Sequence, residues 1–244
     1  MIRGTNLAIL TLLPLVLAGL LWLGAGAFAS LVAARGQGLV DQVAILAVPS
    51  PDRRLDSPVD PRLVQAEGSY ALAVRLDPLD PDHREGLARV LELRAARLPP
   101  GDAGARTLLT QAVDLYRSAA RDRPSWPYTW LALARVKARL GALDADFTSA
   151  IGSASRRGPW DARLQALLLE LLIPLWDLLG PEARAVGAGA LQRGVLVQPD
   201  EVLGIAVRAG RTDLVAPLVQ GDEEREAMLR KHVRSQARAT GAGG

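Results

Sequence analysis

Two Asp-x-Asp pairs are the residues whose types and spacing best suit chemistry in this 244-residue chain: Asp80-Pro81-Asp82 and Asp144-Ala145-Asp146. Two carboxylates this close could neutralise a divalent ion that bridges a diphosphate. Each pair, however, stands at the corner between two expected helices, where aspartate is favoured as an N-cap. Because no alternating strand and helix pattern is present to build a nucleotide-binding sheet, we interpret both pairs as helix caps.

Other catalytic residue types are scarce. The chain has no Cys, which excludes thiolate catalysis and Cys-based metal sites. Its two histidines, His83 and His232, fit no ligand motif, so we expect structural or solvent roles for them. The net charge of +3 is too small to indicate nucleic-acid binding. We therefore predict a protein that is not an enzyme and has no catalytic residue, no cofactor, no metal and no nucleic-acid partner.

The densest aromatic segment runs from Pro124 to Trp130 in a chain that is only 4% aromatic. Exposed rings could bind a sugar face or anchor a partner protein. The competing interpretation is that Trp130 packs inside its own repeat and that Trp126 and Tyr128 cover a helical hairpin. Trp126 and Tyr128 are thus the candidate partner-binding residues, whereas Gly158-Pro159-Trp160-Asp161 is interpreted as a turn with an N-cap.

The N-terminal segment has no charged residue between Arg3 and Arg35. As a helix, Leu7 to Ala34 would extend roughly 42 Å, against about 30 Å for the hydrocarbon core. We predict an uncleaved membrane anchor with lipid as a partner; a cleaved signal peptide is the alternative, since Ala27-Phe28-Ala29 fits a cleavage site. The short N-terminal tail, the long apolar run and the A-x-A site favour an anchor with its N-terminus inside and the helical domain exported, although the flanking arginines are nearly balanced.

A recurring spacing follows: a small residue, a bulky one four later, a small one three later and a proline five after that. Offsets of four and three lie on one helix face, and proline ends the helix. Each copy therefore predicts the second helix of a hairpin. The third copy begins with a bulky residue, and the fourth is looser, with Gly in both small positions. The copies are Ala66, Tyr70, Ala73 and Pro78; Ala112, Tyr116, Ala119 and Pro124; Phe147, Ile151, Ala154 and Pro159; and Gly187, Leu191, Gly194 and Pro199.

The repeat spacing, together with Trp130-x-x-Leu133-Ala134, resembles the tetratricopeptide (TPR) helix pair. The leucine-rich stretch from Leu164 to Leu179 predicts a stacked core helix. We therefore expect an all-α fold in which an N-terminal transmembrane helix precedes a TPR-like α-solenoid of stacked helical hairpins. The expected divisions are 1–35, the anchor; 36–60, a Pro-rich linker; 61–221, the repeat domain; and 222–244, a charged C-terminal helix with a disordered tail from Ala239.

The run Trp126 to Gly141, WPYTWLALARVKARLG, together with Gly158-Pro159-Trp160, resembles the membrane-anchored VpsP-type proteins of bacterial exopolysaccharide biosynthesis. The similarity is densest between Pro124 and Asp161. The resemblance implies an accessory role in assembling or exporting a surface polysaccharide, with partners among the polymerisation and export proteins, and no catalytic residue. The same turns look like those in helical-repeat regions attached to O-antigen ligases.

Three hypotheses follow from these observations. The first is a non-enzymatic scaffold whose concave face recruits polysaccharide-assembly proteins, with direct glycan binding left open. The second is a periplasmic tetratricopeptide binder that holds an apoprotein, such as a cytochrome c maturation factor. The third is a glycan-modifying enzyme that uses the Asp-x-Asp carboxylates.

Overall fold

The computed structural model describes residues 3–46 and 60–241. The described residues form eleven α-helices and two short 3-10 helices, Trp176–Leu178 and Thr212–Leu214, and no strand, which confirms the predicted all-α class. The α-helices are α1 (Arg3–Leu46), α2 (Pro61–Leu76), α3 (Pro81–Ala95), α4 (Ala103–Asp122), α5 (Pro127–Arg139), α6 (Ala145–Arg157), α7 (Ala162–Leu172), α8 (Pro181–Val197), α9 (Pro199–Arg208), α10 (Ala216–Val219) and α11 (Glu223–Gly241).

Helix α1 is the apolar helix predicted at the N-terminus. Its stretch Ala18–Asp41 is long and apolar enough to cross a membrane, and hardly any of it is buried by the rest of the protein. The helix does not end at the predicted boundary of residue 35, because residues 36–46 contain no proline and Val40 is buried against the hairpin that follows. Most of the predicted Pro-rich linker, residues 47–59, lies outside the described residues.

The recurring small-bulky-small spacing falls in α2, α4, α6 and α8. In all four helices the three residues that define the spacing are buried. Helix α1 packs against α2, α3 against α4, α5 against α6 and α7 against α8. Each helix that carries the spacing is therefore the second helix of a hairpin, and its proline stands just beyond its last residue.

The chain divides into two compact units, one up to Arg123 and the other from Pro124 onwards. In the first unit the aromatic residue of the α4 copy, Tyr116, is 3% exposed. Its hydroxyl donates a hydrogen bond to Glu92 Oε1 on α3 at 2.8 Å. The ring fills the hairpin core while its polar end is satisfied, as a buried tyrosine requires.

Tyr70 occupies the same place in the α2 copy. Its ring lies so close to Gly36 of α1 and Gly86 of α3 that a Cβ at either glycine would collide with it. The hydroxyl donates to Gln37 Oε1 on α1 at 2.9 Å. Tyr70 thus packs between three helices and joins α1 to the helical hairpins.

The core of the second unit is built partly on the leucine-rich helix α7. Leu164, Leu168 and Leu172 are fully buried, which confirms a core helix here, although the predicted stretch to Leu179 is not one helix. Leu167 faces outward with 37% of its surface exposed. The helix ends at Leu172 because Pro174 cannot continue the hydrogen-bond ladder.

The fourth, looser copy of the spacing has a physical reason. A Cβ at Gly187 would lie 2.7 Å from Trp176 Cζ3, and one at Gly194 would lie 2.7 Å from Val202 Cγ2. These neighbours approach α8 so closely that only glycine fits without a shift. The two glycines therefore take the place that alanine has in the first two copies, because a small residue is needed where a neighbouring side chain packs against the helix.

Helix α11 is the charged C-terminal helix that the sequence predicts. Acidic residues fill its first turn and Arg238 lies in its last, an order that favours the helix dipole. The helix continues to Gly241, so residues 239–241 are helical rather than disordered. Residues 242–244 of the expected tail lie outside the described residues.

Candidate binding surface

Aspartate N-caps begin five of the six helices from α2 to α7. Asp80 Oδ1 accepts a hydrogen bond from the Asp82 N–H at 2.8 Å. Asp144 Oδ1 accepts one from the Phe147 N–H at 3.0 Å. The capping interpretation of both Asp-x-Asp pairs is therefore confirmed. The five capping residues are Asp60, Asp80, Asp102, Asp144 and Asp161.

A buried lysine lies between the carboxylates of the second Asp-x-Asp pair. Lys137 is 5% exposed, and its Nζ lies 3.0 Å from Asp144 Oδ2 and 3.1 Å from Asp146 Oδ2. The ammonium group supplies the positive charge that a divalent ion would otherwise bring. The ammonium is buried while both carboxylates are partly exposed. Removing both aspartates would leave the lysine charge buried without a partner, so the pair stabilises the contact between α5 and α6.

The first Asp-x-Asp pair also contacts an arginine and a histidine. Asp82 Oδ1 lies 2.8 Å from Arg123 Nη2, at the end of α4. Asp80 Oδ2 lies 3.6 Å from Nε2 of His83, which is buried within α3. The Asp82–Arg123 contact joins the start of α3 to the end of α4, whereas the Asp80–His83 contact stays within the first turn of α3.

The second histidine has an equally local contact. His232 Nε2 on α11 lies 3.0 Å from Asp200 Oδ1 on α9, so this ring links two helices of the second unit. Across residues 3–46 and 60–241, no group of three or more His, Cys, Asp or Glu side chains is arranged to hold a metal ion.

Trp130 is the packing tryptophan of the aromatic segment. It is partly buried on α5, and its Nε1 donates to the Pro124 carbonyl oxygen at 2.9 Å. The Arg157 guanidinium stands 5.5 Å from the ring centroid, within cation–π range. Trp130 therefore holds the turn before α5 through this hydrogen bond, and its partial burial agrees only in part with the interpretation that it packs inside its own repeat.

Trp126 occupies the N-cap position of α5, where the neighbouring helices have aspartate. No side-chain hydrogen bond caps this helix, and the Trp126 side chain is 45% exposed. Its ring centroid lies 5.5 Å from that of Tyr128, with the planes tilted by 42°. Tryptophan at this position forgoes a cap worth about 1 kcal/mol and exposes a large apolar ring. Capping preference therefore does not explain the tryptophan, whose ring also contacts Tyr128.

Tyr128 connects the turn before α5 to the turn before α7. Its hydroxyl donates to Asp161 Oδ2 at 2.8 Å, while Asp161 Oδ1 accepts from the Leu164 N–H at 3.0 Å. Partial burial and the nearby carboxylate raise the pKa of Tyr128. The hydrogen bond from the Leu164 amide, with that from Tyr128, lowers the pKa of Asp161. The side chain is half-buried, so its role is partly to hold the two turns together.

Trp160 is a third aromatic residue of this region, and the sequence assigned it only to a turn. Its side chain is 70% exposed, directly before the Asp161 cap. Trp160 also lines a narrow cleft with Val197, Gln165 and Arg193. A tryptophan in a chain that is only 4% aromatic is a sequence signal that could have marked Trp160 as a candidate. Its exposure, however, depends on the geometry of the turn, which residue type alone does not predict.

We call Trp126, Tyr128 and Trp160 the aromatic edge. They lie on two turns that the Tyr128–Asp161 hydrogen bond joins, and two of the three rings are broadly exposed. Ring faces and edges of this kind bury large apolar area at a small cost in side-chain entropy, which suits a binding hot spot. The three side chains of the aromatic edge offer contact area and hydrogen-bonding groups to a ligand. None of them is a nucleophile of the kind that an enzyme active site uses.

No protein-family model matches the chain, and no curated protein matches it. The fold and the aromatic edge therefore carry the functional argument.

Proposed function

We propose that this protein is a non-enzymatic, membrane-anchored scaffold whose helical hairpins hold a partner protein at the aromatic edge. The observation that carries the proposal is Trp126: it is exposed at a helix start where five neighbouring helices use a capping aspartate. An indole ring that stands in place of a cap and stays 45% exposed is the kind of side chain that carries binding energy at protein interfaces. Trp160 on the adjoining turn extends the same surface.

The repeated hairpins support a TPR-like α-solenoid as the framework for this surface. Four copies of one spacing are buried in the same way in four second helices. Stacked hairpins of this kind bury a continuous core and leave an extended surface for peptides or helices. The framework accounts for a binding surface on the turns before α5 and α7, which begin two successive hairpins.

A binding role is also favoured because carboxylates of both Asp-x-Asp pairs are already engaged in ion pairs. The carboxylates of Asp144 and Asp146 surround Lys137, and Asp82 is paired with Arg123. A glycan-modifying enzyme that uses these pairs would have to break packing contacts in order to bind its metal. The scaffold needs no such rearrangement.

The surface-polysaccharide setting rests on the resemblance to the VpsP-type proteins. In that setting α1 anchors the chain in a bacterial inner membrane, the helical domain lies in the periplasm, and the partners are polymerisation or export proteins. A C-terminal fusion to alkaline phosphatase tests the orientation: an active fusion is expected, and an inactive one places the domain in the cytoplasm.

The experiment for the scaffold is site-specific photo-crosslinking in cells, with the crosslinking amino acid at position 160. The wild-type surface is compared with a Trp126→Ala plus Tyr128→Ala variant, and Leu178, which is 71% exposed elsewhere in the second unit, provides a matched control position. At position 160 we expect a crosslink to a polysaccharide polymerase, ligase or chain-length regulator. This crosslink should be lost in the variant and should not form from position 178.

Other outcomes redirect the proposal. Capture of cytochrome maturation proteins at position 160 would favour the apoprotein-binding function. Crosslinks to free glycan alone would make the aromatic edge a sugar site. Identical crosslinks at 160 and 178 would contradict a specific surface.

A further inference from the structure

The starting observation is the close approach of α1 to the turn between α2 and α3. A Cβ at Gly26 would lie 3.4 Å from Asp77 Oδ2. Ten residues further along α1, Gly36 meets Tyr70 of α2. The two helices are therefore antiparallel, and α2 returns along α1 as far as Gly26.

This contact limits how much of α1 can lie in lipid. If the bilayer covered all of Ala18–Asp41, the end of α2 with Asp77 and the exposed Arg75 would lie in hydrocarbon. Charged groups at that depth are strongly disfavoured. The lipid boundary must then fall where α2 ends, beside Gly26.

The apolar residues before Gly26 have the length that this boundary demands. Residues 7–25 carry no charge, and as a helix they extend about 28 Å, close to the hydrocarbon thickness of about 30 Å. The exposed Phe28 and Leu31 follow within the next two turns of α1. They fall in the interfacial layer of about 5–7 Å, where exposed apolar side chains are tolerated.

We propose that the membrane surface lies at Gly26 and that the turn Asp77–Asp80 rests on it, with the Leu79 side chain inserted among the lipid headgroups and upper acyl chains. This inference rests on the proposed anchor and adds a second lipid contact to it. Leu79 is 71% exposed at the tip of the turn. Helices α2 and α3, which this turn joins, are thereby fixed at a defined height above the bilayer.

The polar groups of the turn suit this position. The Leu79 N–H donates to Asp77 Oδ1 at 3.3 Å, and Asp80 Oδ1 caps α3. These carboxylates are engaged in local hydrogen bonds, so Leu79 can enter the interface without exposing bare backbone donors. Because the turn lies beside α1 at the proposed membrane surface, lipid is the molecule that we expect to cover the Leu79 side chain.

The test uses the full chain in vesicles of phosphatidylethanolamine and phosphatidylglycerol. Because the protein has no Cys, single cysteines at Leu21→Cys, Leu79→Cys and Ala103→Cys can each carry an environment-sensitive fluorophore. Nitroxide-labelled lipids then quench each probe according to its depth. Ala103 begins α4 at the far end of α3, about 22 Å from the turn. Far-UV circular dichroism checks that each variant remains helical.

We expect deep nitroxides to quench the probe at 21, shallow nitroxides to quench the probe at 79 several-fold more than the one at 103, and the probe at 103 to remain in water. Equal weak quenching at 79 and 103, with strong quenching at 21, would overturn this inference and leave the anchor intact. Weak quenching at all three positions would overturn the anchor and the proposed function together.

A second pair of variants tests the contact that sets the height. Gly26→Leu should push the turn away from α1 and lower quenching at 79, because the new side chain meets Asp77. Gly24→Leu meets no atom within 4 Å and should leave quenching at 79 unchanged. Equal effects of the two variants would contradict the assigned boundary.

Discussion

The interiors of the hairpins and the turns between them use aromatic residues in opposite ways. Tyr70 and Tyr116 are nearly fully buried, and each hydroxyl bonds to the preceding helix. Trp126 and Trp160 stand on the turns with much of their surface in water. The buried tyrosines therefore contribute to packing between helices, whereas the turn tryptophans leave much of their rings available for contact with another molecule.

On the proposed function, this difference separates stability from binding. A substitution inside a hairpin removes buried contacts that hold helices together, whereas one at a turn removes mainly exposed area that the proposed partner would cover. The predictions below measure that separation, beginning with the largest expected change in the free energy of unfolding.

Tyr70→Ala should lower the free energy of unfolding by about 3–5 kcal/mol, because it empties the space between α1, α2 and α3. Urea unfolding of the full chain in detergent micelles measures the loss. Tyr70→Phe is the matched control, since it removes only the bond to Gln37 and should cost about 1 kcal/mol. A loss for Tyr70→Ala no larger than that of a turn substitution would remove the distinction between interior and turn.

Trp126→Asp should stabilise the protein by about 1 kcal/mol, because aspartate would cap α5 as it caps its neighbours. The same variant should lose the crosslinked partner. Trp126→Ala separates the two effects, since it removes the ring without adding a cap. If Trp126→Asp destabilises the fold, the indole is a packing group and the central argument for the aromatic edge is wrong.

Stability should fall in acid partly through Asp161. The pKa of this carboxyl is lowered in the folded chain, chiefly by the Leu164 amide and also by the Tyr128 hydroxyl. The unfolded chain therefore takes up the proton first, and the stabilisation present at neutral pH is lost as the pH falls from the unfolded pKa of about 3.9 towards the lower folded value.

Asp161→Asn keeps a capping side chain that does not titrate, so it isolates this contribution. Urea unfolding at a series of acidic pH values should give a shallower decline for the variant than for the wild type. Parallel declines would show that Asp161 contributes no pH dependence.

Trp160→Ala should change the free energy of unfolding by less than about 0.5 kcal/mol, because most of its surface faces solvent. It should nevertheless weaken capture of the partner through position 126. Leu178→Ala, at a similarly exposed site, should affect neither quantity. A stability loss at Trp160 comparable to that at Tyr70 would place this residue with the interior.

The sequence was sufficient for features that depend on local rules. Helical spacing found the buried residues of α2, α4, α6 and α8, and residue preference found the caps at Asp80 and Asp144. Such features follow from one helix face or one turn at a time.

Other features depend on tertiary contacts that no spacing encodes. Lys137 meets Asp144 and Asp146 only when α5 and α6 have packed, and the continuation of α1 past residue 35 depends on α2 covering Val40. The exposure of Trp160 likewise follows from the path of a turn. The aromatic pair Trp126 and Tyr128 was predicted from composition, but the unequal burial of the two side chains was not.

The uninterrupted course of α1 has a mechanical consequence. After Pro14 the helix contains no proline up to Leu46, so no hinge of that kind separates its lipid-facing part from the part that packs on α2. A transmembrane helix tilts when the bilayer becomes thinner than its apolar length. If α1 spans the bilayer as proposed, α2 and α3, which pack against it, would tilt with it, and changes in bilayer thickness would alter their orientation relative to the membrane plane.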